Sequence, residues 1–134
     1  MANDLAQDEG LLQEFVTESE EQLQRMEQDL LELDSSTDPE LVNRIFRAMH
    51  TIKGTSSFLG FEPLVGLTHV AEDLLNAMRR REIRPTRTAS DVLLKVCDRV
   101  REMLGNISQK RELGGDDSAL IAQIQEVRTA VPRL

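Results

Sequence analysis

A chain of 134 residues and 15.1 kDa suits one domain of ordinary size. With 40% hydrophobic and 30% charged residues it is too apolar for a disordered tail, and no apolar run reaches the roughly 18 residues of a membrane span. It has no Trp, no Tyr and four Phe, which is poor material for a sheet, and its net charge of −8 argues against nucleic acid as a partner.

The spacing of apolar residues predicts five helices. The first, about 8–33, places Leu12, Phe15, Val16, Leu23, Met26, Leu30 and Leu33 at threes and fours, and a polar cluster from Asp34 to Thr37 ends it. The second starts with Asp38 as a cap and Pro39 in the first helical position, and runs to about Leu59 before Gly60. The third begins near Glu62 and Pro63 and runs to about Glu82, with Arg79, Arg80 and Arg81 in its last turns, where positive charge complements the helix dipole. The fourth, about Thr88 to Leu113, carries Leu93, Val96, Val100, Met103 and Ile107 on one stripe and breaks at Gly114 and Gly115. The fifth, about 117–130, carries Leu120, Ile121, Ile124 and Val127.

Short connections make consecutive helices antiparallel neighbours. The expected fold is therefore all-α: an antiparallel up-down four-helix bundle over about 8–113, with a fifth helix on its side, in one domain covering 1–134. Charge is unevenly spread along this plan. Residues 1–40 hold thirteen acidic side chains against one basic, Arg25, whereas residues 41–112 hold thirteen basic against eight acidic. A lone Cys97 makes no internal disulfide, and the polar opening lacks the basic-then-apolar order of a secretory signal, so a cytoplasmic setting is expected.

Packing does not explain every position of the second helix. Leu41, Ile45, Ala48, Met49, Ile52, Ser56 and Leu59 fall on one side, and His50 falls almost opposite. Its neighbours at threes and fours are Phe46, Arg47, Lys53 and Gly54. A glycine inside an exposed helix costs about 1 kcal/mol against Ala. Gly54 is tolerated either because a partner must approach the imidazole or because another helix packs tightly there. On the third helix, His69 and Glu72 share a flank off the apolar stripe. The turn between the two helices centres near Phe61, so an antiparallel hairpin brings His50 level with Glu72 and Lys53 level with His69. A carboxylate accepting from one ring nitrogen fixes the tautomer and leaves the other nitrogen's lone pair outward as a nucleophile. Lys53 is placed to attract an incoming phosphoryl group, so the basic stretch of an acidic chain reads as a local preference for phosphate. The chain holds no phosphate-binding Gly-rich loop after a strand, so nothing in it binds nucleotide.

The stretch from Ile45 to Phe61, with His50, Lys53, Gly54, Phe58, Gly60 and Phe61, followed by His69 and Glu72, resembles the histidine phosphotransfer (HPt) domain family. It is most similar to the N-terminal phosphotransfer domain of chemotaxis histidine kinases of the CheA type, over about residues 10–105. The resemblance implies that His50 is the phosphoacceptor, that Glu72 orients it, and that Lys53 and His69 tune its reactivity. It implies phosphorylation by a kinase's ATP-binding domain and transfer to an aspartate of a receiver domain of the CheY or CheB kind. It also implies no cofactor and no metal in this domain, ATP and Mg²⁺ being used by the kinase and Mg²⁺ by the receiver. The domain is expected to be monomeric and non-catalytic, inside a larger, dimeric kinase; a stand-alone phosphorelay protein and a helical adaptor without chemistry are the alternatives. Thr55, Ser56 and Ser57 depart from the smaller residues usual after the glycine, and Ser57 lies near the His50 face where partners gain access, as do Gly54 and Phe46. For Phe46, anchoring a docking partner and partial burial against the third helix remain open.

Overall fold

A computed structural model describes residues 3–130. Its elements are a 3-10 turn over Asp4–Gln7 and the helices α1 (Glu9–Glu32), α2 (Pro39–Leu59), α3 (Glu62–Arg79), α4 (Arg87–Ser108) and α5 (Ser118–Ala130). The fold is the expected all-helical bundle with a fifth helix.

Local chemistry sets most boundaries. The Asp8 carboxylate accepts from the Leu11 amide at 3.0 Å and the Asp38 carboxylate from Glu40 at 3.0 Å, so α1 and α2 are capped at their first turns. Thr86 caps α4 through the Ala89 amide at 3.2 Å. At the end of α2, Gly60 adopts φ +81°, the Gly60 amide donates to Ser57 and the Phe61 amide donates to Ser56. This left-handed closure reverses the chain at once, so α3 folds back along α2. Phe61 is buried beyond it, its ring stacked on Phe15 with centroids 5.8 Å apart.

Two helices end earlier than expected, and for one reason. The third stops at Arg79, where Arg81 takes φ +61° and the Glu82 amide bonds Ala77. The fourth stops at Ser108, where Lys110 takes φ +56° and the Arg111 amide bonds Asn106. Both are the glycine-type closure made without glycine. The 3-10 turn was not expected either. It is held by a distant element: the Asn3 amide donates to the Leu59 carbonyl at 3.1 Å and its side chain to that of Phe58 at 2.7 Å, so Asn3 covers the orphan carbonyls of α2.

The core runs the length of the bundle through Leu23, Met26, Leu30, Ile45, Met49, Ile52, Leu64, Leu67, Leu74 and Leu75, all fully buried. Each comes from the apolar stripe of its helix. α5 packs against α4 and α3, burying Ile124 with Leu120, Ile121 and Val127 partly covered. The loop before it is tied down by Arg99, whose Nε donates to Asp117 at 2.6 Å while the guanidinium also donates to the Gly114 carbonyl. Cys97 is buried against Met26, and burial pushes its thiol up to about 12. Among the described residues, no helix is long and apolar enough to cross a membrane.

Candidate functional site

The α2–α3 hairpin carries the cluster. His50 stands on the solvent side of α2, its side chain 62% exposed, because the opposite side of that turn is taken by Ile45, Met49 and Ile52. Its Nδ1 is 2.5 Å from Oε2 of Glu72, and Nζ of Lys53 is 2.7 Å from Oε1 of the same carboxylate. Glu72 is nearly buried, with 11% of its side chain exposed. Burial alone raises a carboxyl's pKa; here hydrogen bonds and charge from Lys53 and His50 outweigh it and hold Glu72 below its ordinary value. An ionised Glu72 accepts from both partners, so Nδ1 carries the proton in the neutral ring. Nε2, across the ring, then bears the lone pair and faces away from the carboxylate.

Hairpin symmetry thus placed His50 with Glu72. It did not place Lys53 with His69. Matching backbone height leaves a long side chain free to choose its partner, and the ammonium reaches the carboxylate instead of the second imidazole. His69 lies exposed on α3, with Nε2 3.7 Å from Oδ2 of Asp73. Three groups converge at His50 and the second histidine stands beside them.

Gly54 is exposed one turn beyond His50, and a Cβ built there meets nothing within 4 Å. Tight helix packing therefore does not account for it, and the space beside the imidazole is left open. Ser57 is exposed one turn further along the same face. Phe46 is half-buried. Its ring lies nearly parallel to that of His50, at 13° with centroids 5.9 Å apart, and the Arg79 guanidinium lies over the Phe46 ring at 4.3 Å. Of the two expectations for Phe46, packing against the third helix is the one seen. Arg79 in turn donates from Nε and Nη2 to Oδ1 of Asn76 at 3.2 and 2.8 Å.

From sequence Arg79 reads only as part of a basic helix end and Asn76 is not singled out, though a signal for their place at the site exists. Phe46 and Asn76 are equidistant from Phe61, so the hairpin brings them level. Helical side chains lean towards their own N-terminus, which carries the Arg79 head back to that height. Among the described residues, no group of three or more His, Cys, Asp and Glu side chains is placed to hold a metal. A groove of about 850 Å³ lies at the turn end of the hairpin between Leu12, Phe61, Ile107 and Leu113 and includes no member of the His50 cluster.

A helical bundle organised around one solvent-facing imidazole, braced by a carboxylate of the adjacent helix, defines a small class of proteins. Residues 10–130 match the model of the Hpt domain family, and the chain belongs to that family. It is 39% identical to the sensor histidine kinase CheAY of Helicobacter pylori over 125 residues, covering 92% of this chain and 15% of that protein. It is 37% identical to the chemotaxis protein CheA of Bacillus subtilis over 111 residues, covering 82% of this chain and 16% of that one. The chain therefore spans only about a sixth of the length of these relatives. Two solved structures share the fold. The phosphorylated P1 domain of CheA3 in complex with CheY6 from R. sphaeroides superposes with a TM-score of 0.83 at 27% identity, over 92% of this chain and 99% of that one. The solution structure of the histidine phosphotransfer domain of CheA gives 0.80 at 32% identity, over 89% and 92%.

Proposed function

We propose that this domain is the phosphocarrier of a CheA-type histidine kinase, with His50 as its phosphoacceptor. One observation carries the reading: Nδ1 of an exposed histidine is held at 2.5 Å by an ionised, nearly buried carboxylate, which directs the nucleophilic nitrogen outward. Nε2 attacks the γ-phosphorus of ATP held by the kinase's catalytic domain. The N–P bond forms, the P–O bond to ADP breaks, and no proton has to move. The ring becomes an imidazolium still donating from Nδ1 to Glu72, whose negative charge stabilises it. A receiver aspartate then attacks phosphorus, the N–P bond breaks, and the Nε2 lone pair returns. Glu72 fixes the tautomer, Lys53 holds Glu72 and offsets phosphoryl charge, and Gly54 leaves room for both partners. His69 and Ser57 border the face that those partners cover.

On this reading the domain is substrate and carrier rather than catalyst, and it needs no cofactor of its own. ATP and Mg²⁺ are handled by the kinase domain and Mg²⁺ by the receiver. The protein works in the cytoplasm, the domain monomeric and the parent kinase dimeric. The similarity to a P1 domain solved with a CheY-type receiver supports this choice of partner. Incubation with a kinase ATP-binding domain and labelled ATP tests it. We expect acid-labile, base-stable label that is absent from His50→Gln; label surviving that substitution overturns the assignment.

A further inference from the structure

We infer that Phe46 and Arg79 are positioning residues for His50: through a stack braced by Asn76 they hold the plane of the imidazole while Glu72 holds its Nδ1. The inference rests on the phosphoacceptor reading above and adds a second point of control to it. A single hydrogen bond at Nδ1 fixes one atom of an otherwise 62% exposed ring. It leaves the ring able to swing about that contact, and Nε2, at the far side, travels most. A nearly parallel aromatic neighbour at 5.9 Å limits that swing, since offset stacking weakens when the planes separate.

Phe46 lies one turn before His50 on the same helix, so its backbone position alone does not fix its ring plane. Arg79 does that from α3, with its guanidinium 4.3 Å from the ring centroid. The long Arg79 side chain is itself held by two donations to Oδ1 of Asn76, three residues back on the same helix. The order of support is therefore Asn76, Arg79, Phe46, His50. α3 thus supports the reactive ring twice: directly through the Glu72 carboxylate and indirectly through Arg79 on the Phe46 ring. Alignment of the attacking lone pair is a rate term, so the loss of either brace should appear in turnover rather than in partner affinity.

The test uses the full chain and phosphoramidate as a small donor that transfers phosphoryl to Nε2 and releases ammonia, with no protein docking involved. Phe46→Leu, Phe46→Tyr, Arg79→Ala and His50→Gln are compared by rate of phosphohistidine formation and by the ¹³C-relaxation order parameter of the His50 ring. Phe46→Leu should lower the ring order parameter and slow phosphorylation about two- to tenfold, the range expected from one aromatic pair. Phe46→Tyr should restore both, and Arg79→Ala should move both in the direction of Phe46→Leu. With the kinase domain and ATP as donor, Phe46→Leu should lower kcat and leave KM unchanged. An unchanged ring order parameter and rate in Phe46→Leu, or a loss seen only in KM for the kinase, overturns the inference. An unchanged ring in Arg79→Ala overturns the part given to Arg79, a surface side chain whose removal leaves the core intact. Should His50→Gln still accept phosphate, the phosphoacceptor reading itself fails, and the two failures are told apart.

Discussion

Replacing Glu72 gives the sharpest check on the chemistry, because one carboxylate serves two donors. Glu72→Ala removes the acceptor for Nδ1–H at 2.5 Å and for Lys53 at 2.7 Å. A hydrogen bond to a charged group contributes about 1.5–3 kcal/mol, which is about ten- to hundredfold in the population of the reactive tautomer and in stabilising the imidazolium product. Phosphorylation by the kinase domain should slow by that factor. The thermal midpoint should fall by only about a few degrees, since Ala needs no desolvation and Lys53 regains water. Glu72→Gln is the more telling variant. Its single oxygen will face the charged Lys53, the stronger donor, so the amide NH₂ faces Nδ1. Nδ1 then accepts, the proton moves to Nε2, and the nucleophile is lost. A near-isosteric change should therefore be at least as slow as the truncation. Stopped labelling gives the rate, and ¹⁵N shifts of the His50 ring report which nitrogen bears hydrogen. Wild-type rates in Glu72→Gln with the proton still on Nδ1 would refute the proposed role of the carboxylate.

Acid should act through the same residue. Glu72 ionises below its ordinary 4.5 in the folded chain, so the unfolded state binds more protons as pH falls; the stability it contributes is full above about pH 4.5 and is lost as pH drops through the folded value. The difference in unfolding free energy between wild type and Glu72→Ala should shrink over that window, and a difference that stays flat from about pH 6 to 3 rejects this linkage. Gly54→Ala should raise helix stability by about 1 kcal/mol, seen as a higher thermal midpoint, because its Cβ enters open space. Gly54→Leu should slow exchange with the kinase and receiver domains far more than phosphorylation by phosphoramidate; equal rates with every donor exclude a role in access. Cys97, with its thiol pushed up to about 12 inside the core, should resist iodoacetamide at about pH 8 until the chain unfolds, and prompt alkylation of the native protein contradicts the packing around Met26.

What was readable in the sequence was the part that local rules control. Asp38, Pro39 and Gly60 act on their own neighbours, and apolar spacing sets which face of each helix is buried, so the start and the end of α2 fell where expected. The ends of α3 and α4 did not, because Arg81 and Lys110 adopt a conformation that glycine usually signals. The turn around Asn3 depends on carbonyls at Leu59 and Phe58, more than fifty residues away, and no local pattern carries that. The site divides in the same way. His50 and Glu72 meet because backbone heights match. The partner of Lys53 and the Arg79 stack depend on where long side chains turn, which height alone does not settle.

The uneven charge has a different meaning in three dimensions. The acidic first segment and the basic middle of the chain lie against each other. Asp29 of α1 meets Arg44 of α2 at 3.3 Å, Glu27 takes Arg101 of α4 through two contacts of 2.7 Å, and Glu9 takes Lys110. Arg44, Arg101 and Lys110 are therefore directed at α1 and not at the His50 face. Such exposed or half-exposed pairs contribute little stability each, but like charges on neighbouring helices would repel, so the division favours this helix order over others. At His50 the balance is local: one carboxylate and one ammonium meet beside the ring. A phosphoryl group arriving there adds two negative charges and makes the ring positive, and Lys53 is the cation already within the cluster. Lys53→Met should accordingly slow phosphorylation while leaving the Nδ1 bond and tautomer of His50 in place. A wild-type rate in that variant would assign the charge compensation to Arg79 or to the partner's own cations.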